Sequence, residues 1–168
     1  MPNATQIHTA LIHEVEHRLF DESLTRILEC LEKLTDEQIW WRPNESSNSI
    51  GNLVLHLCGN VRQWIGTGLG NLPDTRKRQT EFDERRQIER DVLVSELVST
   101  MSMAKSVISN LPENELLTSR PVQTFKETGM SILIHVTEHF SYHTGQIAYI
   151  TKLLSGKSLS FYEGVVLE

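Results

Sequence analysis

The feature that most constrains the fold is an unbroken helical pattern that runs from Thr128 to Gly156. Thr128 has the side chain of an N-cap, no proline interrupts the stretch, and Gly156 stands where a left-handed residue ends a helix. At about 100° per residue, one face of this helix is apolar. The apolar stripe consists of Ile132, Val136, Ile147, Ile150 and Leu154. The pattern therefore predicts one long amphipathic helix with one face in a core.

Two histidines, His139 and His143, fall in the same stripe. One turn apart on a helix, their imidazoles point the same way and offer a metal two ligands from one rigid element. Two buried imidazoles repel each other when both are protonated, and each loses its hydration when neutral. A cation that both rings coordinate offsets these costs. His135 continues the four-residue spacing at the edge of the stripe. Hydrogen-bonded core histidines are the alternative interpretation.

Length and composition limit the classes of protein to which this chain can belong. The 168 residues predict one domain, residues 1–168, which is large enough to bury a core. A net charge of −6 argues against a nucleic-acid binder. Cys30 and Cys58 form no CxxC pair, which fits a reducing cytoplasm. The N-terminus has no signal-peptide pattern, and no apolar run approaches membrane-spanning length. We therefore expect a cytoplasmic protein that binds neither nucleic acid nor membrane.

Three further helices are predicted ahead of the histidine-bearing one. They run from about Thr5 to Leu34, from about Ser49 to Thr67 and from about Asp83 to Asn110. An irregular connection over Pro121 to Glu127 leads into the fourth helix. Four helices with inward apolar stripes predict a helix bundle, and bundle cores hold metal sites built from facing helices.

The first helix contains HEVEH, His13 to His17, which matches the HExxH motif of zinc proteases. That motif needs a third ligand from elsewhere in the chain and a cleft that admits a peptide. The pattern is short and frequent by chance in charged helices. A partly exposed pair of helical histidines is the favoured interpretation.

Candidates for substrate contact come from arginines and one tryptophan. The segment from Arg76 to Arg86 is a charged stretch that fits either a solvated loop or a set of arginines reaching over a pocket to an anionic substrate. Trp41, beside Trp40, fits core packing or a substrate wall. The candidates are Arg62, Arg76, Arg78 and Trp41.

Several stretches together resemble a known family. They are SNSIGNLVLHLCGNVRQWI, RKRQTEF and HVTEHFSYHTGQIAYITKLLSG. The chain resembles the DinB-like, DNA-damage-inducible family of bacterial four-helix proteins, and is closest to a small uncharacterised branch of it. The likeness extends from the WWRPN segment to Phe161 and Tyr162. It implies an all-α fold, a four-helix bundle of the DinB-like type with short connecting helices.

The resemblance also implies a metal site. Members of the family typically hold a metal by one histidine on the second helix and two histidines on the fourth. Carried over by motif, these ligands are His56, His139 and His143. His56 lies on the flank of its helix, and periodicity alone does not nominate it. The ion is a divalent metal, with zinc, nickel and iron all compatible with nitrogen ligands. Many relatives carry a basic residue after the last histidine, where this chain has Thr144.

Relatives of two kinds define the functional expectations. One kind activates a low-molecular-weight thiol as cofactor for S-transfer, and the other is a metal-dependent hydrolase that uses a metal-bound hydroxide. A metal-binding or partner-binding protein without catalysis is the third possibility. Glu138 and His135 are candidates for supporting a ligand or carrying a proton.

Family members often form homodimers, and the first helix of this chain carries two apolar sets. Leu11, Val15 and Leu19 lie on one side, and Phe20, Leu24 and Leu31 on another. One of these faces is expected to contact a partner chain.

Overall fold

The computed structural model describes residues 2–164, in which four long helices pack as a bundle. The first long helix consists of the consecutive segments Ala4–Glu16, His17–Leu24 and Thr25–Glu32, the middle one with π-helical hydrogen bonding. The other three are Ile50–Val61 continued by the π-helical Arg62–Thr67, then Arg90–Ser109, then Gly129–Ser155. Short helices at Asp36–Ile39, Arg78–Asp83 and Glu113–Leu116 connect them. The predicted all-α four-helix bundle is confirmed.

The fourth long helix has the ends that its sequence predicts. The Thr128 hydroxyl accepts a hydrogen bond from the Ser131 N–H at 3.1 Å, and Gly156 ends the helix with φ 65°. The apolar stripe is buried at Ile132, Val136 and Ile147. This face forms one wall of the core.

The first long helix carries the two apolar sets from which the sequence predicts an interface. Val15, Leu19, Phe20 and Leu31 are buried in the core of the same chain, and Leu11 and Leu24 pack against it. Most of both apolar sets is therefore packed within the chain. The homodimer and its interface stay predictions. Exposed apolar side chains include Ile7 on the first long helix and Tyr142, Tyr149 and Leu153 on the fourth.

The third long helix begins at Arg90 and not at about Asp83. Side chains from elsewhere bind backbone carbonyls in the intervening segment. The Asn52 amide donates to the carbonyls of Glu81 and Glu84 at 2.9 and 3.0 Å, and the Trp40 indole donates to the carbonyl of Ile88 at 2.9 Å. Because helical hydrogen bonds compete for the same carbonyl groups, residues 84–89 remain outside the helix.

The connection into the fourth helix is a β-hairpin, where the sequence predicted an irregular segment. Strands Ser119–Val122 and Phe125–Thr128 pair antiparallel, with Val122 opposite Phe125. Gln123 lies in the turn with φ 52°, in the left-handed region. Glycine or asparagine at this position would have predicted a hairpin turn from the sequence, and glutamine does not.

The C-terminal tail packs on the bundle as far as it is described. The Arg26 guanidinium lies over the rings of Phe161 and Tyr162, 5.6 and 5.4 Å from their centroids. Met1 and residues 165–168 lie outside the described residues, so the single domain over 1–168 stays a prediction. Arg90–Ser109 is the one described helix long and apolar enough to cross a membrane, although Leu93 and Leu97 pack in the core.

Candidate metal centre

The second and fourth long helices face each other with polar residues at four-residue intervals. His56, Asn60 and Trp64 form one row, and His135, His139 and His143 form the other. Residues four apart lie on the same helical face, so each row is continuous. At one end the rings of His56 and His139 are 4.9 Å apart, and at the other Trp64 stacks on His135 at 3.8 Å. The two rows bound one pocket.

Three imidazole nitrogens converge at the first end. The Nε2 atom of His139 lies 3.1 Å from that of His56 and 3.2 Å from that of His143. Among the described residues, these three form the group of histidine, cysteine and acidic side chains close enough to hold a metal. The ligand set implied by the family resemblance is thus brought together in space.

The separations fit a transition metal. Nitrogen ligands at about 2.0–2.1 Å from a tetrahedral ion lie roughly 3.3 Å apart, and adjacent ligands of an octahedral ion lie roughly 3.0 Å apart. The observed 3.1 and 3.2 Å fall between these values. Without a cation, His139 Nε2–H can donate to only one of the two neighbouring nitrogens, which leaves the other without a hydrogen bond to it. The donor set therefore fits a divalent ion, with zinc, nickel and iron all compatible.

Hydrogen bonds fix two of the three rings in the tautomer that a metal needs. His56 Nδ1 lies 2.9 Å from Glu81 Oε2, and His143 Nδ1 lies 2.7 Å from Gln146 Oε1. The Arg76 guanidinium also lies 3.2 Å from His56 Nδ1, but the Glu81 carboxylate is closer and can only accept. We therefore assign the proton of each ring to Nδ1 and the lone pair to Nε2. A carboxylate or amide oxygen behind a ligating histidine is the usual support of such sites. His139 Nδ1 has no hydrogen-bond partner among the described residues.

Glu81 is held as a carboxylate in a buried ion pair. Arg76 donates to both of its oxygens, at 2.8 and 2.9 Å, and the Arg76 side chain is only 4% exposed. Burial alone would raise the pKa of Glu81, but the hydrogen bonds from Arg76 and His56 outweigh it and lower the pKa below its ordinary value. Glu81 therefore stays ionised behind His56 at neutral pH.

The ligand histidines on the fourth helix are neutral at physiological pH. Burial, together with the neighbouring histidines and Arg76, lowers the pKa of His139 to about 3. Burial also lowers the pKa of His143, although the hydrogen bond to Gln146 opposes this. Neutral imidazoles are the form that binds metal, so protons do not compete strongly with the ion near pH 7.

The end of the two rows where the three imidazole nitrogens converge opens into the pocket between the rows. The pocket has a volume of about 340 Å³, and His56 and His139 are part of its wall. Its other lining residues are Asn60, Trp64, Arg76, Arg78, Gln123, Phe125, Glu127 and His135. An ion held by the three histidines would thus be reachable by an external ligand.

The structure places the other sequence candidates in different surroundings. His135, Arg76 and Arg78 line the metal pocket. Arg62 pairs with Glu96 and lines a separate cavity of about 730 Å³. Arg76 and Glu81, which support His56, also line this cavity.

Two candidates lie away from the metal pocket. Trp41 is exposed and does not line it. Glu138 is exposed in a groove beside Arg18 of the first long helix, away from the histidines.

The HEVEH segment does not build a metal site in this fold. His13 is exposed, and His17, with 43% of its side chain exposed, pairs with Asp21 at 3.2 Å. Neither histidine belongs to the metal-compatible group among the described residues. This agrees with a pair of partly exposed helical histidines.

Sequence reasoning missed two residues that support the ligands, Glu81 and Gln146. Glu81 stands in RKRQTEF, a stretch that contributed to the family resemblance, but its carboxylate had no visible partner in a charged segment. Gln146 follows His143 by three residues, a spacing that places both on one helical face. That spacing was the available signal for Gln146.

Three histidines close enough to hold a metal, placed between facing helices of a four-helix bundle, define a helical-bundle protein with a candidate metal site. Within that class, the chain belongs to the mycothiol-S-transferase family, which is of the DinB-like type and matches residues 16–156. The matched region contains all three histidines, Glu81 and Gln146. The resemblance seen in the sequence is confirmed. Family and histidine geometry together support a metal-dependent, thiol-related function.

Two solved bacterial structures are similar in fold. A conserved protein from Enterococcus faecalis has a TM-score of 0.66 at 18% identity, covering 94% of this chain and 100% of its own. A DinB-like protein from Bacillus subtilis has a TM-score of 0.66 at 20% identity, covering 90% of this chain and 98% of its own. At these identities the similarity shows the fold alone. No curated protein matches the chain significantly.

Proposed function

We propose that this chain is a metal-dependent enzyme that activates the sulfur of a low-molecular-weight thiol for transfer to an electrophilic acceptor. The main support is the convergence of three imidazole Nε2 atoms beside an open pocket. The family to which the chain belongs is named for S-transfer from mycothiol, which is a thiol of this kind.

Electrostatics favours a thiol over water as the activated group. A divalent cation held by three neutral imidazoles supplies a net positive charge, which favours a bound thiolate over the neutral thiol. A thiol has an ordinary pKa of about 8.5 and water one of about 15.7, so the thiol needs much less help to ionise. In the transfer, the thiol releases its proton to solvent, a carbon–sulfur bond forms at the acceptor, and the leaving group departs with its bonding electron pair.

The chain's own residues orient the ligands and the substrate. Glu81 and Gln146 hold His56 and His143 with their Nε2 lone pairs toward the site. Arg76 donates hydrogen bonds to Glu81 and Gln63, so we assign it to the ion pair and not to substrate binding. Arg78 is exposed at the pocket with its guanidinium 4.8 Å over the Phe82 ring, and we assign it the contact to an anionic group of the thiol or the acceptor.

Cobalt-substituted protein tests the proposal. We expect N-acetylcysteine or 2-mercaptoethanol at millimolar concentration to produce an intense sulfur-to-cobalt charge-transfer band. The His139→Ala variant, treated in the same way, should show no band. A wild-type spectrum that stays unchanged at millimolar thiol would contradict thiol activation.

That negative result would separate the two remaining functions. Ester or amide hydrolysis by the metal-loaded protein, absent from His139→Ala, would indicate the hydrolase. Metal binding with neither a thiol band nor hydrolysis would indicate a metal-binding protein without catalysis.

A further inference from the structure

The part of the metal pocket away from the His56–His139–His143 cluster carries three polar atoms that the protein leaves unpaired. They are Asn60 Oδ1, Trp64 Nε1 and His135 Nε2, all buried and without a hydrogen-bond partner among residues 2–164. Asn60 is 4% exposed and Trp64 is 5% exposed. Buried polar groups are nearly always hydrogen-bonded, and three exceptions around one part of a pocket require an explanation.

All three side chains line the pocket that His56 and His139 also line. Asn60 and Trp64 follow His56 on the second long helix by one and two turns, about 6 and 12 Å of helical rise. His135 stands opposite, with its ring stacked on Trp64 at 3.8 Å. A molecule whose sulfur reaches the three-histidine site therefore extends along these residues.

The chemistry of the three groups selects a neutral partner. The Trp64 indole only donates, the Asn60 carbonyl oxygen only accepts, and a neutral imidazole nitrogen does one or the other. Burial lowers the pKa of His135 below its ordinary value, which agrees with a neutral ring here. A buried ion would need an opposite charge beside these three atoms. Arg76 is already paired with Glu81, and the Arg78 and Glu127 side chains, which also line the pocket, are not fully buried. A hydroxyl or an amide both donates and accepts, and so matches the set.

We infer that Asn60, Trp64 and His135 form a recognition subsite for a neutral hydroxyl or amide group of the ligand. The identity of that ligand as a thiol rests on the proposed function. The subsite itself rests on the pocket geometry. The subsite would therefore help to determine which thiol, or which acceptor, binds in the pocket in a reactive orientation.

Two thiols of similar length test the subsite in cobalt-loaded protein. N-Acetylcysteamine carries one amide, and 1-pentanethiol carries none. In Asn60→Leu and in Trp64→Phe, the preference for the amide thiol over the aliphatic one should fall about five- to tenfold relative to wild type. Asn110→Leu, at an exposed asparagine outside the pocket, is the matched control and should retain the preference.

A probe without sulfur separates this inference from thiol activation. N-Acetylethanolamine should shift the Trp64 indole N–H resonance of zinc-loaded protein, identified by its loss in Trp64→Phe, and the shift should weaken in Asn60→Leu. If that shift occurs but no thiol gives a cobalt band, the subsite stands and the proposed thiol function fails. If thiols give the band, but the indole resonance does not move and the variants keep the wild-type preference, the subsite is refuted and thiol activation stands. Failure of both signals refutes both.

Discussion

Replacing His139 with alanine is expected to reduce the metal content of the untagged protein from about one ion per chain to less than a tenth of that. His139 Nε2 lies 3.1 and 3.2 Å from the other two ligand nitrogens, so the remaining pair cannot enclose an ion in the same way. Structural zinc sites contribute about 10–16 kcal/mol over four ligands, so one ligand corresponds to roughly two orders of magnitude in affinity. Elemental analysis and competition with a chelator measure this loss.

Thermal unfolding of the same variant should distinguish a metal site from three histidines that only stabilise the core. In excess chelator, His139→Ala should unfold at a temperature no lower than wild type, because it removes a half-buried ring whose nitrogen crowds two others. The His13→Ala/His17→Ala double variant is the matched control and should keep its metal, since both residues lie outside the site. Loss of metal in that double variant, with metal retained in His139→Ala, would refute the assignment.

Replacing Gly59 with alanine is expected to weaken both the fold and the metal site. A Cβ at this position would lie 2.0 Å from Glu81 Oε1 and 2.7 Å from Glu81 Cδ, so the carboxylate must move. Arg76 and His56 hold that carboxylate at 2.8–2.9 Å, and its movement leaves a buried guanidinium without its counter-ion. Breaking a buried pair costs about 3–5 kcal/mol, against a gain of about 1 kcal/mol for alanine in a helix. We expect a net loss of about 2–4 kcal/mol in the free energy of unfolding.

Metal affinity should fall in the same variant by about 10- to 100-fold, because His56 loses the carboxylate that orients it. Gly145→Ala provides the matched control. It makes the same change in an exposed helical position where a Cβ meets nothing within 4 Å, and it should stabilise the protein slightly. Urea unfolding in chelator and metal competition measure the two effects. Indistinguishable behaviour of the two variants would mean that the Glu81 carboxylate is not held where the structure places it.

The two ligands on the fourth helix were predictable from residue spacing, and the third was not. His139 and His143 stand out because an amphipathic helix has one apolar stripe and they interrupt it. The second long helix is buried on nearly all sides, with Leu53, Val54, Leu57, Cys58 and Val61 spread around it. His56 lies on the flank of the apolar stripe of this helix, a position that periodicity does not mark as buried, so His56 required the family resemblance.

The residues that complete the site depend on contacts distant in sequence. Glu81 reaches His56 across 25 positions, and the start of the third helix depends on Asn52 and Trp40, which lie further still from the carbonyls they bind. Periodicity is a local signal and carries no information on such pairs. The hairpin escaped prediction for a local reason, because its turn uses Gln123 in a conformation that this residue type rarely adopts.

X-ray absorption at the metal edge of untagged protein, recorded before and after addition of N-acetylcysteamine, tests for a three-histidine centre that binds a thiol. We expect three imidazole nitrogens at about 2.0–2.1 Å in both states, and one sulfur neighbour at about 2.3 Å only after the thiol is added. Fewer than three imidazoles, or a first coordination sphere that the thiol leaves unchanged, would contradict a three-histidine centre that binds and activates a thiol.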